Sequence, residues 1–290
     1  MGDWTRKLAR QVSGLLLTAL IGGFLTAALV RSSPGFDSDE RLLDPRLDAA
    51  SIAAIRAEHA AHQNIVRFYA RQMGQALHGD FGMSPSLNQP ISQLIAARLP
   101  VTLQLMALGV LAGWTLAFAM AVFSVALNHP FFAHAAGALS TVALCVPSAA
   151  MAVLIFTGGG PVKVIIGLVL FPKLFATLRN VMEEAYTRPH IVTARAKGVA
   201  PAAILWRHVL PVCVPEVLAL AGVSIIMALG AAIPVETFCD LPGLGQLAWK
   251  AATARDLPLL VTLAFLICLF TQSCNAVFDW ITPQTGARAA

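Results

Sequence analysis

Six stretches of this chain, Val12–Val30, Val101–Leu127, Ala133–Thr157, Val162–Leu178, Val212–Pro234 and Leu257–Cys274, are each close to the length that a helix needs to cross a bilayer. The hydrocarbon layer takes about 20 apolar residues in helical form, because backbone groups find no water there and must bond to one another. Composition agrees: of 290 residues, 57% are hydrophobic and only 12% charged, where a soluble domain carries roughly a quarter charged. The chain therefore reads as an all-α membrane protein with six transmembrane helices and the lipid bilayer as its solvent. The fourth stretch is the weakest, since Pro172 and Lys173 interrupt it. Lys173 either snorkels to an interface or lines an aqueous path.

Basic residues orient the spans, because cytoplasmic flanks collect Lys and Arg. Arg6, Lys7 and Arg10 precede the first span; Arg179, Arg188, Arg195, Lys197 and Arg207 lie between the fourth and fifth. Four crossings place both regions on one side, so that side and both termini are expected to be cytoplasmic. The Gly158–Val162 turn and the Glu236–Asp256 loop then fall outside, as does the long segment from Ser32 to Arg98. That segment carries Ile52, Ile55, Ile65, Val66, Phe68 and Tyr69 at spacings of one or two amphipathic helices. The organisation is a first helix over 1–31, read as retained, an external helical insertion over 32–98, and a core domain over 99–290.

Several chemistries are excluded by their missing motifs. "GGGPVK" at Gly158–Lys163 lacks the spacing and the hydroxyl residue of a phosphate cradle, and "EHAAH" places His59 and His62 without the order of a zinc hydrolase. No serine-nucleophile elbow occurs, and the five cysteines form no close pair that suits a metal. The formal charge of +5 sits beside apolar segments, which points away from nucleic acid. Glu216 reads as an interfacial acid, with a buried charge on a pathway as its alternative. An ion-coupled secondary transporter would carry inverted repeats and paired intramembrane charges; neither is evident.

The segment from Arg188 to Pro211 breaks twice. Pro189 disfavours helix at Arg188, Gly198 suits a left-handed cap, and Pro201 suits a first helical turn. The spacing predicts one short helix ending near Lys197 and a second from about Pro201 to Val209. Alanines at 194, 196, 200, 202 and 203 keep its surface thin, Ile204, Leu205 and Trp206 add apolar area, and Arg195, Lys197 and Arg207 add charge. From these residues alone, docking on lipid and docking on protein are equally open.

"TARAKGV…ILWRHVLP" resembles the EAA loop of permeases from binding-protein-dependent ABC importers, and more narrowly the first permease subunit of dipeptide, oligopeptide and nickel importers. "GDFGMSPSLNQPISQLIAARLPVTLQL" (Gly79–Leu105) and "VETFCDLPGLGQLAWKAATARDLPLL" (Val235–Leu260) are similar to two further stretches of that subunit, and Asn275 and Asp279 match its last span. The resemblance implies a type I importer permease fold with a cytoplasmic coupling loop at about 187–211. It implies Thr193, Ala194, Ala196, Gly198, Arg207, His208, Leu210 and Pro211 as the element that couples to an ATPase, with Ile204 and Leu205 as anchors in the ATPase cleft. Glu236, Asp240, Pro242, Gly243, Gly245, Arg255 and Asp256 become candidates for an external gate or for contact with the binding protein. The implied partners are a second permease, two ABC ATPases and an extracytoplasmic substrate-binding protein, in a bacterial inner membrane. The subunit itself is expected to be non-catalytic, with no cofactor and no metal; ATP and Mg are bound by the ATPases. Peptide is the expected solute, with nickel, glutathione or another small solute as alternatives. The sequence departs from the family in its lack of the acid that names the loop (Val192 stands there), in the short Gly158–Val162 connection and in its "DWITPQTGARAA" ending.

Overall fold

The computed structural model describes residues 2–32, 64–127, 137–138 and 140–281. The expectations for Ile52, Ile55, His59 and His62 lie outside these residues, as does the C-terminal tail. Helix α1 (Gly2–Ser32) is followed by α2 (Ile65–Ala76), which begins where the Asn64 side chain accepts a hydrogen bond from the Arg67 N–H at 3.1 Å. A small antiparallel hairpin, β1 (Met83–Ser84) and β2 (Gln89–Pro90), then precedes α3 (Ile91–Leu127). The sequence pattern holds no sign of these strands. Next come α4 (Ser148–Thr157), α5 (Val162–Tyr186), α6 (Pro189–Ala196), α7 (Pro201–Ile204) and α8 (Leu210–Phe238), then α9 (Leu244–Thr253) and α10 (Leu257–Ile281).

Among the described residues five helical runs are long and apolar enough to cross a membrane: Ser13–Ser32, Ile91–Ala126, Val162–Tyr186, Pro201–Phe238 and Leu257–Phe278. Of the expected span Ala133–Thr157, residues 133–136 and 139 lie outside the described residues, and the rest is not one unbroken helix. The chain turns at 145–147, where Pro147 offers no N–H, and α4 is about 15 Å long at the helical rise. A second difference lies at 201–211. The helix expected to end at about Val209 runs on into the fifth span, because α7 passes into α8 through a π-turn, Leu205–Val209, in which the Leu210 N–H reaches back to the Leu205 carbonyl. Pro211 accounts for this. Its ring crowds the Arg207 carbonyl and it has no N–H to give it, so a widened turn just ahead of it keeps the helix continuous.

The described chain divides into two compact units, one of residues 1–99 and 247–273 and the other of 100–246 and 274–290. In the first, Ala27, Tyr69, Leu257 and Val261 form a buried cluster with Phe24, Phe68 and Met73 against it. Tyr69 donates its phenol to the Leu20 carbonyl at 2.7 Å and meets the Phe24 ring edge-on, over the space left by Gly23. Burial raises the Tyr69 phenol above its ordinary value, with the Cys268 thiol adding less. Gln72, also buried, donates to the Phe81 carbonyl at 2.9 Å and to the Thr262 hydroxyl at 3.2 Å.

In the second unit α5 packs against α8 and α4. Its glycine at 167 lets α3 approach: a Cβ there would stand 2.9 Å from the Gly109 carbonyl oxygen and 3.0 Å from the Gly113 nitrogen. A Gly167→Val change should force the two helices apart, at about 1–3 kcal/mol for an overpacked site. A lower melting temperature of the detergent-purified protein would register it, and an unchanged one would contradict the packing. The Trp114 indole, donating to the Ser224 hydroxyl at 3.0 Å, ties α3 to α8.

Candidate functional site

The basic segment is a two-helix joint. Proline at the first position of α6 and of α7 fits both helix starts, since its missing N–H is one the helix leaves unpaired anyway. Between them Gly198 takes φ +74°, a left-handed turn that few side chains accept, and a Cβ there would meet nothing within 4 Å. The Thr193 hydroxyl donates back to the Pro189 carbonyl at 2.9 Å. The Arg195 guanidinium carbon lies 5.6 Å from the centre of the Tyr186 ring, where a cation is attracted to the ring face.

The joint has two sides. Ile191, Ala194, Ile204, Leu205 and Val209 are buried and fasten it to the second unit. Ile204 and Leu205, the residues expected as anchors, are at 3% and 5% exposure and pack inside this chain. The outward apolar side chains are Val192 and Trp206, at 53% and 60%. Thr193, Arg195, Ala196, Lys197, Gly198, Arg207 and Pro211 are exposed around them, with His208 and Leu210 half-buried. The reason is geometric: the π-turn fixes the rotation of α7 relative to α8, and a spacing of four residues cannot reveal it.

At the other end of α8 stands the second candidate group. Glu236 is fully buried, and its carboxylate accepts the N–H of Gly245 at 2.6 Å and of Gln246 at 3.3 Å. These are the first amides of α9, which their helix cannot satisfy and to which a negative charge is attracted. Gly243 must be glycine, because a Cβ would fall on the Glu236 carboxylate, and one at Gly245 would stand 2.5 Å from the Ile233 Cα. Asp240, at φ +50°, accepts from the Gln246 side chain at 2.6 Å, and the Thr102 hydroxyl accepts the Leu244 N–H at 2.8 Å. Pro242 is exposed.

Asp256 is likewise internal, at 3% exposure, and belongs to the first unit. One carboxylate oxygen accepts the Ser84 hydroxyl at 2.5 Å, the Ser86 hydroxyl at 2.7 Å and the Ser86 N–H at 3.1 Å; the other accepts the Leu259 N–H at 3.0 Å. It therefore caps α10 and holds the β1–β2 hairpin. Arg255 beside it is exposed, at φ +56°. Of the acids expected at an outer contact surface, Glu236 and Asp256 brace turns from within, and Asp240 is exposed. Ser84 and Ser86, the hydroxyl partners of Asp256, and Thr102, which accepts the Leu244 N–H, carry no sequence signal of their own. Among the described residues no group of three or more His, Cys, Asp or Glu side chains could hold a metal ion.

Five helical runs long and apolar enough to cross a membrane, with a joint at the head of one of them that is buried on one side and basic and aromatic on the other, are the architecture of a multi-pass membrane protein. Residues 109–288 match the family described as the inner membrane component of binding-protein-dependent transport systems, and the chain belongs to that family. It is thus a multi-pass inner-membrane subunit of ABC importers, which work with an ATPase and a substrate-binding protein. It is 28% identical to a Brucella abortus permease protein named for a peptide transport system, over 95% of this chain and 96% of the relative. It is 27% identical to the oligopeptide transport system permease protein OppB of Salmonella typhimurium, over 90% of each chain. To the glutathione transport system permease protein GsiC of Salmonella paratyphi A it is 26% identical, over 93% of this chain and 94% of that one.

Proposed function

We propose that the chain is one half of a peptide-conducting pathway, completed by a second permease and worked by two ATPases that bind ATP and Mg. The 189–211 joint faces the cytoplasm, as do both termini, and an ATPase grips its outward side at Val192 and Trp206, steered by Arg195, Lys197 and Arg207. The observation that supports this most is the two-sided build of the joint, buried on the side of the spans and aromatic and basic on the other. Oligopeptide and glutathione, the solutes named for two relatives, share peptide bonds and charged ends, which favours peptide over a nickel chelate.

Alternating access follows in the usual manner: ATP-driven closure of the ATPases moves the joints, and the path opens to the opposite face. Trp206→Ala removes the largest outward apolar surface and should weaken ATPase binding by about 2 kcal/mol or more, roughly 30-fold. Gly198→Pro cannot keep φ +74° and should uncouple ATP hydrolysis from uptake while membrane insertion stays intact. Co-purification of the ATPases and peptide-stimulated hydrolysis in proteoliposomes test both. Full ATPase retention with unchanged coupling in the two variants would refute the assignment.

A further inference from the structure

One membrane-crossing helix carries polar side chains that the joint and the braced turns leave unused. In α5, Lys173, Thr177, Asn180 and Glu184 recur at intervals of four, three and four, which puts them on one face. The row Leu174, Leu178, Met182 and Ala185 on another face is buried. Lys173, Asn180 and Glu184 are exposed and Thr177 half-buried. The Lys173, Thr177 and Asn180 side chains make no hydrogen bond or ion pair with another described residue.

Lys173 lies about 16 Å along the helix from Val162, near the middle of a layer about 30 Å thick. A cation facing lipid at that depth is expensive. Its long stem gives it a route to the interface, but Thr177, about 22 Å along, has no such reach, and with Asn180 and Glu184 at about 27 and 33 Å the row makes one polar track from mid-layer to the far boundary. Immediately before Lys173, the Pro172 carbonyl accepts the Ser140 hydroxyl at 2.7 Å, which holds the helix where proline weakens it.

We infer that the Lys173–Thr177–Asn180–Glu184 row lines the aqueous path of this subunit, and that the Lys173 ammonium receives the carboxylate end of the translocated solute. This rests on the peptide reading of the proposed function, so the test separates the two. In the assembled transporter, with the native cysteines replaced, Thr177→Cys and Asn180→Cys should react with a membrane-impermeant cationic thiol reagent several-fold faster than Leu178→Cys. That comparison needs no solute. Equal, slow reaction at all three positions would mean that the row faces lipid or is sealed against the second permease, and would overturn the assignment. Lys173→Gln should then lower uptake of a peptide with a free C-terminal carboxylate by roughly tenfold, with little effect on its C-terminal amide, and Lys173→Arg should restore it. Equal losses for acid and amide would remove the carboxylate role. If the unaltered transporter carries neither peptide, the peptide reading fails while thiol labelling still decides the row.

Discussion

Alanine at Gly243 should cost the protein the turn that joins α8 to α9. Its Cβ would coincide with the Glu236 carboxylate, and that carboxylate has no room to withdraw, since the Gly245 and Gln246 amides both bond to it. The backbone is equally held, with the Gly243 N–H on the Leu241 carbonyl at 2.8 Å and the Leu244 N–H on Thr102. Overpacking of about 1–3 kcal/mol adds to the loss of a charge-assisted hydrogen bond of similar size, for about 3 kcal/mol or more. Thermal unfolding of the purified transporter reads the loss. Glu236→Ala alone should also destabilise, because it strands two amides, yet in the Gly243→Ala background it empties the space that the new methyl needs. The two changes should therefore be non-additive by about 1–3 kcal/mol. Strict additivity would show that the overlap is not what makes glycine necessary.

Asp256→Ala should be nearly as damaging, and for a reason that separates an internal brace from a docking contact. The change leaves two hydroxyls and two backbone N–H groups without their shared acceptor in a buried place. At about 1–3 kcal/mol for each group stranded, and with some relaxation, a net loss of about 3–5 kcal/mol is expected. Asp256→Asn keeps the shape but turns an amide towards hydroxyl donors, and should fall between. The effect belongs to the transporter by itself: a lower melting temperature and faster proteolysis at Ser86–Gln89, with no binding protein present. Normal stability with a defect only when the binding protein is added would instead make Asp256 an outer contact.

What the sequence made legible is local. Gly198 and the prolines at 189 and 201 announce their turns because φ and the missing N–H are properties of the residue itself. The apolar lengths announce the spans. Long-range facts were hidden. Asp256 and its hydroxyl partners at 84 and 86 are 172 and 170 residues apart, so nothing near Asp256 hints that its charge is spoken for. Ile204 and Trp206 look alike as apolar neighbours, and only the twist set by the π-turn turns one in and the other out. The stretch Ala133–Thr157 reads as one span from hydropathy, which does not register the turn at Pro147.

From Pro201 to Phe238 the backbone is one helical run of 38 residues, about 57 Å from tip to tip. Trp206 rides near one tip and Glu236 near the other. No loop intervenes to absorb a displacement; Pro215 and Pro234 soften the shaft without cutting it. A tug on the indole is therefore delivered to the buried glutamate, and through it to the first amides of α9, as the motion of a single bar. The two ends of that bar cannot be set independently.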